Sequence, residues 1–374
     1  MGDALHELLA EAVAAGEVQS AVWLVARRNT ILSQGAVGAA QPDTIYDLAS
    51  LTKPLVTALL CVYFIERDRL NDFNYLGELL PALGRDSYYG TAKVREALVH
   101  TAGFPAWLPL YALCDHPDEA PAVIGRARPD RFRDWSGLYD VVYSDLGYIV
   151  LGYILERVGG RPLDVLFDEI VARPLGLKVT RFRPPVEWRD RIAPTEHGNA
   201  HEREMTRRLA ADGSRYFDPQ EKSRLLGYDG YRQGLIQGEV HDGNAYFLGG
   251  VAGHAGLFST AEEVWRLARE FLPHGRLLKY ASLRYFTHNF TCTSKESRSF
   301  GWMLATTPDA TGVGLSPSAF GHTGFTGTSL WCDPQTEGVY VLLTNRTFPI
   351  RASLQEVRRA FHACAARLVS PSSA

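Results

Sequence analysis

Ser50 and Lys53 stand three residues apart in the stretch YDLASLTKPLVTALLCVYF, residues 46 to 64, which begins polar and then runs apolar. Three residues of helix return a side chain to nearly the same face, so the serine hydroxyl and the lysine amine can meet in a first turn. Pro54 fits that placement, because a first-turn proline removes an N–H that would lack a helical partner anyway. A serine at a helix N-terminus lies where free N–H groups and the macrodipole stabilise developing negative charge. A lysine confined and partly desolvated beside it would have its pKa drawn toward neutrality and could accept the serine's proton, which is the chemistry of an activated nucleophile. The plain alternative is a capping serine beside a surface lysine. The spacing alone fits both, although Lys53 is the only one of six lysines that follows a serine by three.

Two further motifs bear on the choice. Tyr143-Ser144-Asp145 precedes the periodic run LGYIVLGYILE, and His322-Thr323-Gly324 leads into TSLWCDP. Taken singly, Tyr143 and Ser144 read as a hydrophobic staple and N-cap, and His-Thr-Gly as a turn. Other chemistries lack their signatures: the chain has no G-x-x-x-x-G-K, no G-x-G-x-x-G, no H-E-x-x-H and no G-x-S-x-G.

In the order S-x-x-K, Y-S-D, H-T-G, the three motifs resemble the serine β-lactamase and penicillin-binding protein superfamily. The similarity is to its class C-like branch of β-lactamases, D-Ala-D-Ala peptidases and esterases. Segments ALVHTAGFP (97 to 105), GGVAGHAGLFSTAEEVWRLA and VYVLLTNR extend the resemblance over most of the chain, with Ala102 and Phe104 departing from the branch's H-T-S-G-L-P pattern. The resemblance implies an α/β (α+β) fold: an antiparallel sheet flanked by the terminal helices, plus a mainly helical lobe, with the active site between them. It also implies that Ser50 attacks a carbonyl to form an acyl-enzyme, while Lys53 and Tyr143 share the general base and acid roles. The backbone N–H groups of Ser50 and Phe325 would form the oxyanion hole. Asp145, His322, Thr323 and Gly324 would contact substrate, Gly324 by letting the strand lie close to it. No metal and no organic cofactor is implied.

Two departures bear on the substrate. The branch usually has asparagine where this chain has Asp145; an ionised aspartate only accepts hydrogen bonds, and it raises the pKa of a neighbouring lysine. The third motif often begins with lysine, whereas His322 is neutral for much of the time at pH 7. Both lean toward a carboxylesterase-like hydrolase acting on a small ester or amide. The alternatives are a β-lactamase or D-Ala-D-Ala carboxypeptidase and, from another class, a penicillin-recognising binding protein that does not turn over.

The elements needed to position these groups are legible. Leu5, Leu8, Leu9, Ala12 and Val13 repeat at helical spacing and Gly16 stops them; SAVWLVARRNTILSQGAVG reads as a hairpin turning at Arg28-Asn29. A second hairpin turns through Asp333-Pro334, and residues 354 to 368 close the chain as an amphipathic helix. One catalytic unit over 1–374 follows, with a sheet lobe of about 1–68 and 245–374 and a helical lobe of about 69–244. Residues 178 to 240 read as a long irregular excursion of the kind that forms lids or binding loops.

A net charge of −3 and a pI near 6.4 offer nothing to nucleic acid or an anionic membrane. No basic and apolar leader is visible, and five scattered cysteines lack any C-x-x-C, so a cytoplasmic protein with reduced thiols is expected. His241, Asp242 and His254 lack a third ligand at helpful spacing. They read as loop-ordering or rim residues, His254 satisfying a buried hydrogen bond. Trp107, Trp302 and Phe325 are candidates for an apolar acyl pocket, and Arg346 reads as a surface ion pair.

Overall fold

Along SAVWLVAR, Trp23 and Val25 face one side while Val22 and Leu24 face the other, and both sides are buried. This strand therefore lies inside a sheet covered on both faces. The computed structural model describes residues 2–129, 140–212, 217–349 and 351–369. Its main sheet has six strands: β1 (Ser20–Arg27), β2 (Thr30–Gly38), β3 (Met303–Leu304), β4 (Phe320–Thr323), β5 (Ser329–Asp333) and β6 (Gly338–Thr344). They are ordered β2-β1-β6-β5-β4-β3, and every neighbouring pair is antiparallel. Strands from the two ends of the chain thus meet at β1 and β6, as the two hairpins suggested.

Six helices matter for the site: α1 (Gly2–Ala14), α2 (Leu59–Ile65), α3 (Asp145–Gly159), α4 (Ala200–Asp212), α5 (Ala261–Ala268) and α6 (Gln355–Val369). Helices α1 and α6 pack Leu5, Leu9, Phe361 and Ala365 with Trp23, Val25 and Leu342 on one face of the sheet. Helix α5 lies on the other face, where Val22, Leu24, Val341 and Leu343 join the larger core that continues among the central helices. Observed bounds of α1, α3, α6 and both hairpins agree closely with the sequence pattern.

The excursion is less irregular than expected. Between residues 178 and 240 lie α4, a second helix from Pro219 to Gly227, and short paired strands at Glu196–His197 and Leu235–Ile236; residues 213–216 lie outside the described residues. The sequence AHEREMTRRLAAD is built from good helix formers but carries few apolar residues, so propensity forms a helix that hydrophobic periodicity does not announce.

Helix α3 is held against the loop before α5 by a glycine pair. A Cβ on Gly253 would stand 2.1 Å from the Tyr148 carbonyl oxygen and 3.0 Å from the Gly152 nitrogen. The contact places the next carbonyl, that of His254, under the site. Gly253→Ala should destabilise the protein by about 1–3 kcal/mol through overpacking and lower its activity as well, measured by urea unfolding and ester turnover. Unchanged values of both would contradict this role.

Candidate active site

The nucleophile segment leaves the sheet region through a tight bend. Residues Ala49–Leu51 form one 3-10 turn, Lys53–Ala58 a wide π-helical turn, and only then does α2 begin. Ala49 has φ of 48°, a left-handed conformation that costs a residue with a Cβ and persists only where neighbours enforce it. Enforcement comes from Asp47, buried beneath, whose carboxylate accepts from the Ala49 N–H at 2.8 Å and the His241 N–H at 2.7 Å. The sequence reading passed over Asp47; its signal was an acid inside an otherwise apolar approach to Ser50.

Lys53 is completely buried. Its Nζ donates to Ser50 Oγ at 3.0 Å, Asp145 Oδ1 at 2.6 Å and the His254 carbonyl at 3.3 Å. Three donors meet three acceptors, which is the pattern of an ammonium. Burial pushes the amine's pKa down, but the Asp145 charge, followed by Tyr143, outweighs burial and holds it above the ordinary 10.5. The lowering expected from confinement is thus reversed, and Asp145 is the reason. In this structure the Lys53 ammonium donates to Ser50 Oγ.

Tyr143 precedes Ser144, which is the N-cap of α3: its Oγ accepts from the Leu146 N–H at 3.1 Å and donates to the Pro105 carbonyl at 2.6 Å. The capping reading and the motif reading are both satisfied. The Tyr143 ring is boxed in, with its centroid 4.9 Å from Lys53 Nζ, 5.5 Å from the Arg298 guanidinium, 4.5 Å from the His100 ring and 5.7 Å from the His322 ring. His100 brackets it, since its carbonyl accepts from the Val142 N–H and its Nδ1 from the Ser144 N–H. Burial, with Arg298 and Lys53 adding to it, pushes the His100 pKa well below its ordinary range. His322 is lowered in the same way by burial, Lys53 and Arg298. Its Nδ1–H donates to the Thr323 carbonyl at 2.8 Å, so the third motif presents a neutral imidazole.

Two clefts meet at Ser50, Tyr143 and Phe325. The larger, about 400 Å³, is walled by His322, Thr323, Gly324, Arg298, Arg346 and Arg358. The smaller, about 210 Å³, is walled by Asp145, Trp107, Glu202, His241 and Asp242. Every residue expected at the site thus lines a cleft, except Lys53, which lies buried beneath the nucleophile. Phe325 sits in the turn just after β4 rather than on the strand. Among the described residues, neither the Ser50 nor the Phe325 amide donates to another protein group, which leaves both N–H groups for an oxyanion. Gly324 also serves the packing of the turn. A Cβ there would stand 2.0 Å from Thr328 Oγ1 and 2.6 Å from the Leu48 carbonyl, so its bare Cα lets the turn close on the nucleophile segment.

The remaining candidates divide. His254 Nε2 pairs with Asp242 Oδ1 at 2.8 Å and His241 Nε2 with Glu196 Oε2 at 2.7 Å, which matches the ordering role expected of them. Among the described residues no group of three His, Cys, Asp or Glu side chains is placed to hold a metal ion. Trp107 and Phe325 line the smaller cleft, whereas Trp302 is fully buried in the core against Phe271 and Phe320. Arg346 is not in a surface ion pair: its Nε donates to the Phe325 carbonyl at 2.7 Å. Arg358, which the sequence reading did not single out, donates to the Gly324 and Thr328 carbonyls at 2.8 and 2.9 Å. Among the described residues neither arginine has a carboxylate partner.

Comparison with known proteins agrees with this geometry. The sequence profile of the beta-lactamase family matches residues 5–365. A relative from Escherichia coli (strain K12) named "Putative D-alanyl-D-alanine carboxypeptidase" is 31% identical over 363 residues, covering 86% of this chain and 77% of that protein. Among solved structures, "EstCE1, a hydrolase with promiscuous acyltransferase activity" superposes with a TM-score of 0.71 at 21% identity, over 96% of this chain and 97% of that one. The class C beta lactamase from Rhodobacter sphaeroides gives a TM-score of 0.70 at 17% identity, over 98% and 99%. The chain belongs to the beta-lactamase family and is a hydrolase of that family. Among the described residues no helix is long and apolar enough to cross a membrane.

The buried neutral histidines make a pH prediction. Because the folded pKa of His322 lies below its ordinary 6.5, the unfolded chain takes up a proton that the folded chain refuses. Its contribution to stability is complete above pH 6.5 and is lost as pH falls toward the folded value. Relative to His322→Gln, the wild type should lose stability progressively as pH falls from 6.5 to 5 in urea unfolding. A constant difference across that window would show that His322 protonates normally.

Proposed function

We propose that this chain hydrolyses small esters or amides through an acyl-enzyme on Ser50 and prefers substrates whose leaving group ends in a carboxylate. The observation that carries the preference is the Arg346–Arg358 pair in the larger cleft. Burial pushes Arg346 down to about 10 and Arg358 down to about 9, and each value still leaves a full positive charge at neutral pH. Two guanidinium groups without carboxylates are an anion site waiting for its counter-ion. They supply the positive charge that a neutral His322 does not.

In the proposed reaction Tyr143 acts as a phenolate: Ser50 Oγ attacks the scissile carbonyl and its proton passes to the Tyr143 oxygen. Lys53 remains an ammonium, holding Ser50 and Tyr143 in register and favouring negative charge on both. The amides of Ser50 and Phe325 receive the oxyanion. The C–N or C–O bond then breaks and Tyr143 returns the proton to the departing nitrogen or oxygen. Water then repeats the sequence: Tyr143 takes its proton as the water oxygen attacks the acyl carbonyl, the acyl–serine bond breaks, and Tyr143 returns the proton to Ser50 Oγ.

A second reading, a carboxylesterase-like hydrolase indifferent to the leaving-group charge, is favoured by the neutrality of His322. The two separate on one comparison, a peptide ending in D-Ala-D-Ala against the same peptide with a C-terminal carboxamide. The carboxylate form should have the higher kcat/KM, and Arg358→Gln should reduce that advantage by about tenfold or more, the worth of a charge-assisted hydrogen bond. Equal rates for the two peptides would favour the ester reading. Turnover surviving in Ser50→Ala would sink both.

A further inference from the structure

Asp145 is the residue at which the Y-S-D motif departs from its branch, and its surroundings suggest what the departure is for. Its Oδ1 is taken by Lys53, but its Oδ2 has no hydrogen-bond partner among the described residues, and the side chain is 20% exposed toward the smaller cleft. Asp242 repeats the arrangement in the same wall. Its Oδ1 accepts from His254 Nε2 and the Ala245 N–H, its Oδ2 is unpartnered, and its side chain is 21% exposed. Burial raises the Asp242 pKa, but His254 and the hydrogen bonds more than reverse this and keep the group ionised.

Behind these two stands Glu202, carried into the cleft wall by α4 and only 6% exposed. Its Oε1 accepts from the Gly243 N–H at 2.8 Å, while its Oε2 has no partner. Burial and the neighbouring Asp242 push its carboxyl up to about 7, with His241, the Gly243 N–H and Arg232 offsetting part of the rise. No lysine or arginine lines this cleft. Its histidines are already committed: His241 to Glu196, and His201 to Arg351 and to stacking on Phe325. The free carboxylate oxygens of Asp145 and Asp242 only accept hydrogen bonds, so a ligand group that meets them is a donor, and a cation suits their charge best. Across Ser50 the larger cleft carries Arg346 and Arg358 without carboxylate partners among the described residues, beside Asp309 and the Glu296-paired Arg298.

We propose that the smaller cleft is a subsite for a protonated amine on the acyl half of the substrate, with Asp145, Asp242 and Glu202 as its specificity-determining residues. The preferred acyl group is then an aminoacyl unit with a free ammonium, carried beside the indole of Trp107, whose face also attracts cations. A substrate spanning both clefts is a short zwitterion, positive on the acyl side and negative on the leaving side. The asparagine usual at position 145 would present an amide N–H toward the cleft, which suits an acylated amine; aspartate inverts that preference. The inference rests on Ser50 being the nucleophile, but it does not require the carboxylate preference.

The test compares D-alanine p-nitroanilide with N-acetyl-D-alanine p-nitroanilide at pH 7, where most of the free amine is protonated. Ser50 Oγ bonds to the alanyl carbonyl, the C–N bond breaks, p-nitroaniline leaves with the proton, and water releases alanine or N-acetylalanine. The wild type should favour the free amine by about tenfold or more in kcat/KM. Asp145→Asn and Glu202→Gln should each bring that ratio toward one, whatever they do to the absolute rates. Two variants are needed because Asp145 also anchors Lys53. A wild-type ratio at or below one overturns the inference and leaves the Ser50 reading standing. A high ratio unmoved in both variants overturns the assignment to these residues. Absence of Ser50-dependent turnover for either compound contradicts the nucleophile itself and removes the inference with it.

Discussion

A lysine ammonium with no exposure to solvent governs this active site. Taking such a group out of water costs on the order of several kcal/mol, and its attraction to a carboxylate offsets that only in good geometry. Lys53 therefore ties together segments distant in sequence: the 3-10 turn carrying Ser50, the first residue of α3 in Asp145, and the loop before α5 through the His254 carbonyl. If any one moves, a buried charge loses a partner. The Gly253–Gly152 contact and the Asp47 brace under Ala49 are the packing that keeps those acceptors in place.

The same interaction shapes the chemistry. Asp145 keeps the lysine's pKa above its ordinary value, and Tyr143, the proton acceptor of the proposed reaction, stands at the junction of the two clefts. Two neutral histidines flank that tyrosine, and burial among cations is what keeps them neutral. Charge on either side of the junction differs in balance: Arg346 and Arg358, without carboxylate partners among the described residues, line the larger cleft beside Asp309 and the Glu296-paired Arg298, and carboxylates with unused oxygens line the smaller. Ser50 lies on the boundary. A substrate bound across both clefts as proposed would be oriented by sign as well as by shape, and remote binding energy would align its carbonyl with the nucleophile.

Much of this was legible in the sequence because it rests on short-range rules. The i, i+3 pairing of Ser50 and Lys53, the N-cap at Ser144, the two hairpins and the terminal helices all follow from local spacing, and the order of three motifs set the fold class. Asp145 was recognised as the residue that would raise the lysine's pKa. What escaped was the product of long-range assembly. Arg358 lies on α6, 36 residues beyond His322, and nothing local shows that it donates into the turn at Gly324. Gly324 suggested close approach to substrate, and nothing local showed that its bare Cα also fits against the Leu48 carbonyl. Helix α4 was hidden because its polar sequence has little hydrophobic periodicity, and with it Glu202 was hidden as well.

The central claim is covalent: turnover passes through an acyl group on Ser50, which Lys53 positions. Rapid-quench intact-mass spectrometry during steady turnover of a short-chain nitrophenyl ester, followed by peptide mapping, tests it directly. The account predicts one acyl mass on the peptide containing Ser50 in the wild type, and none in Lys53→Met. Turnover accompanied by an adduct on another residue, or an adduct on Ser50 that forms equally fast without the lysine, would contradict it.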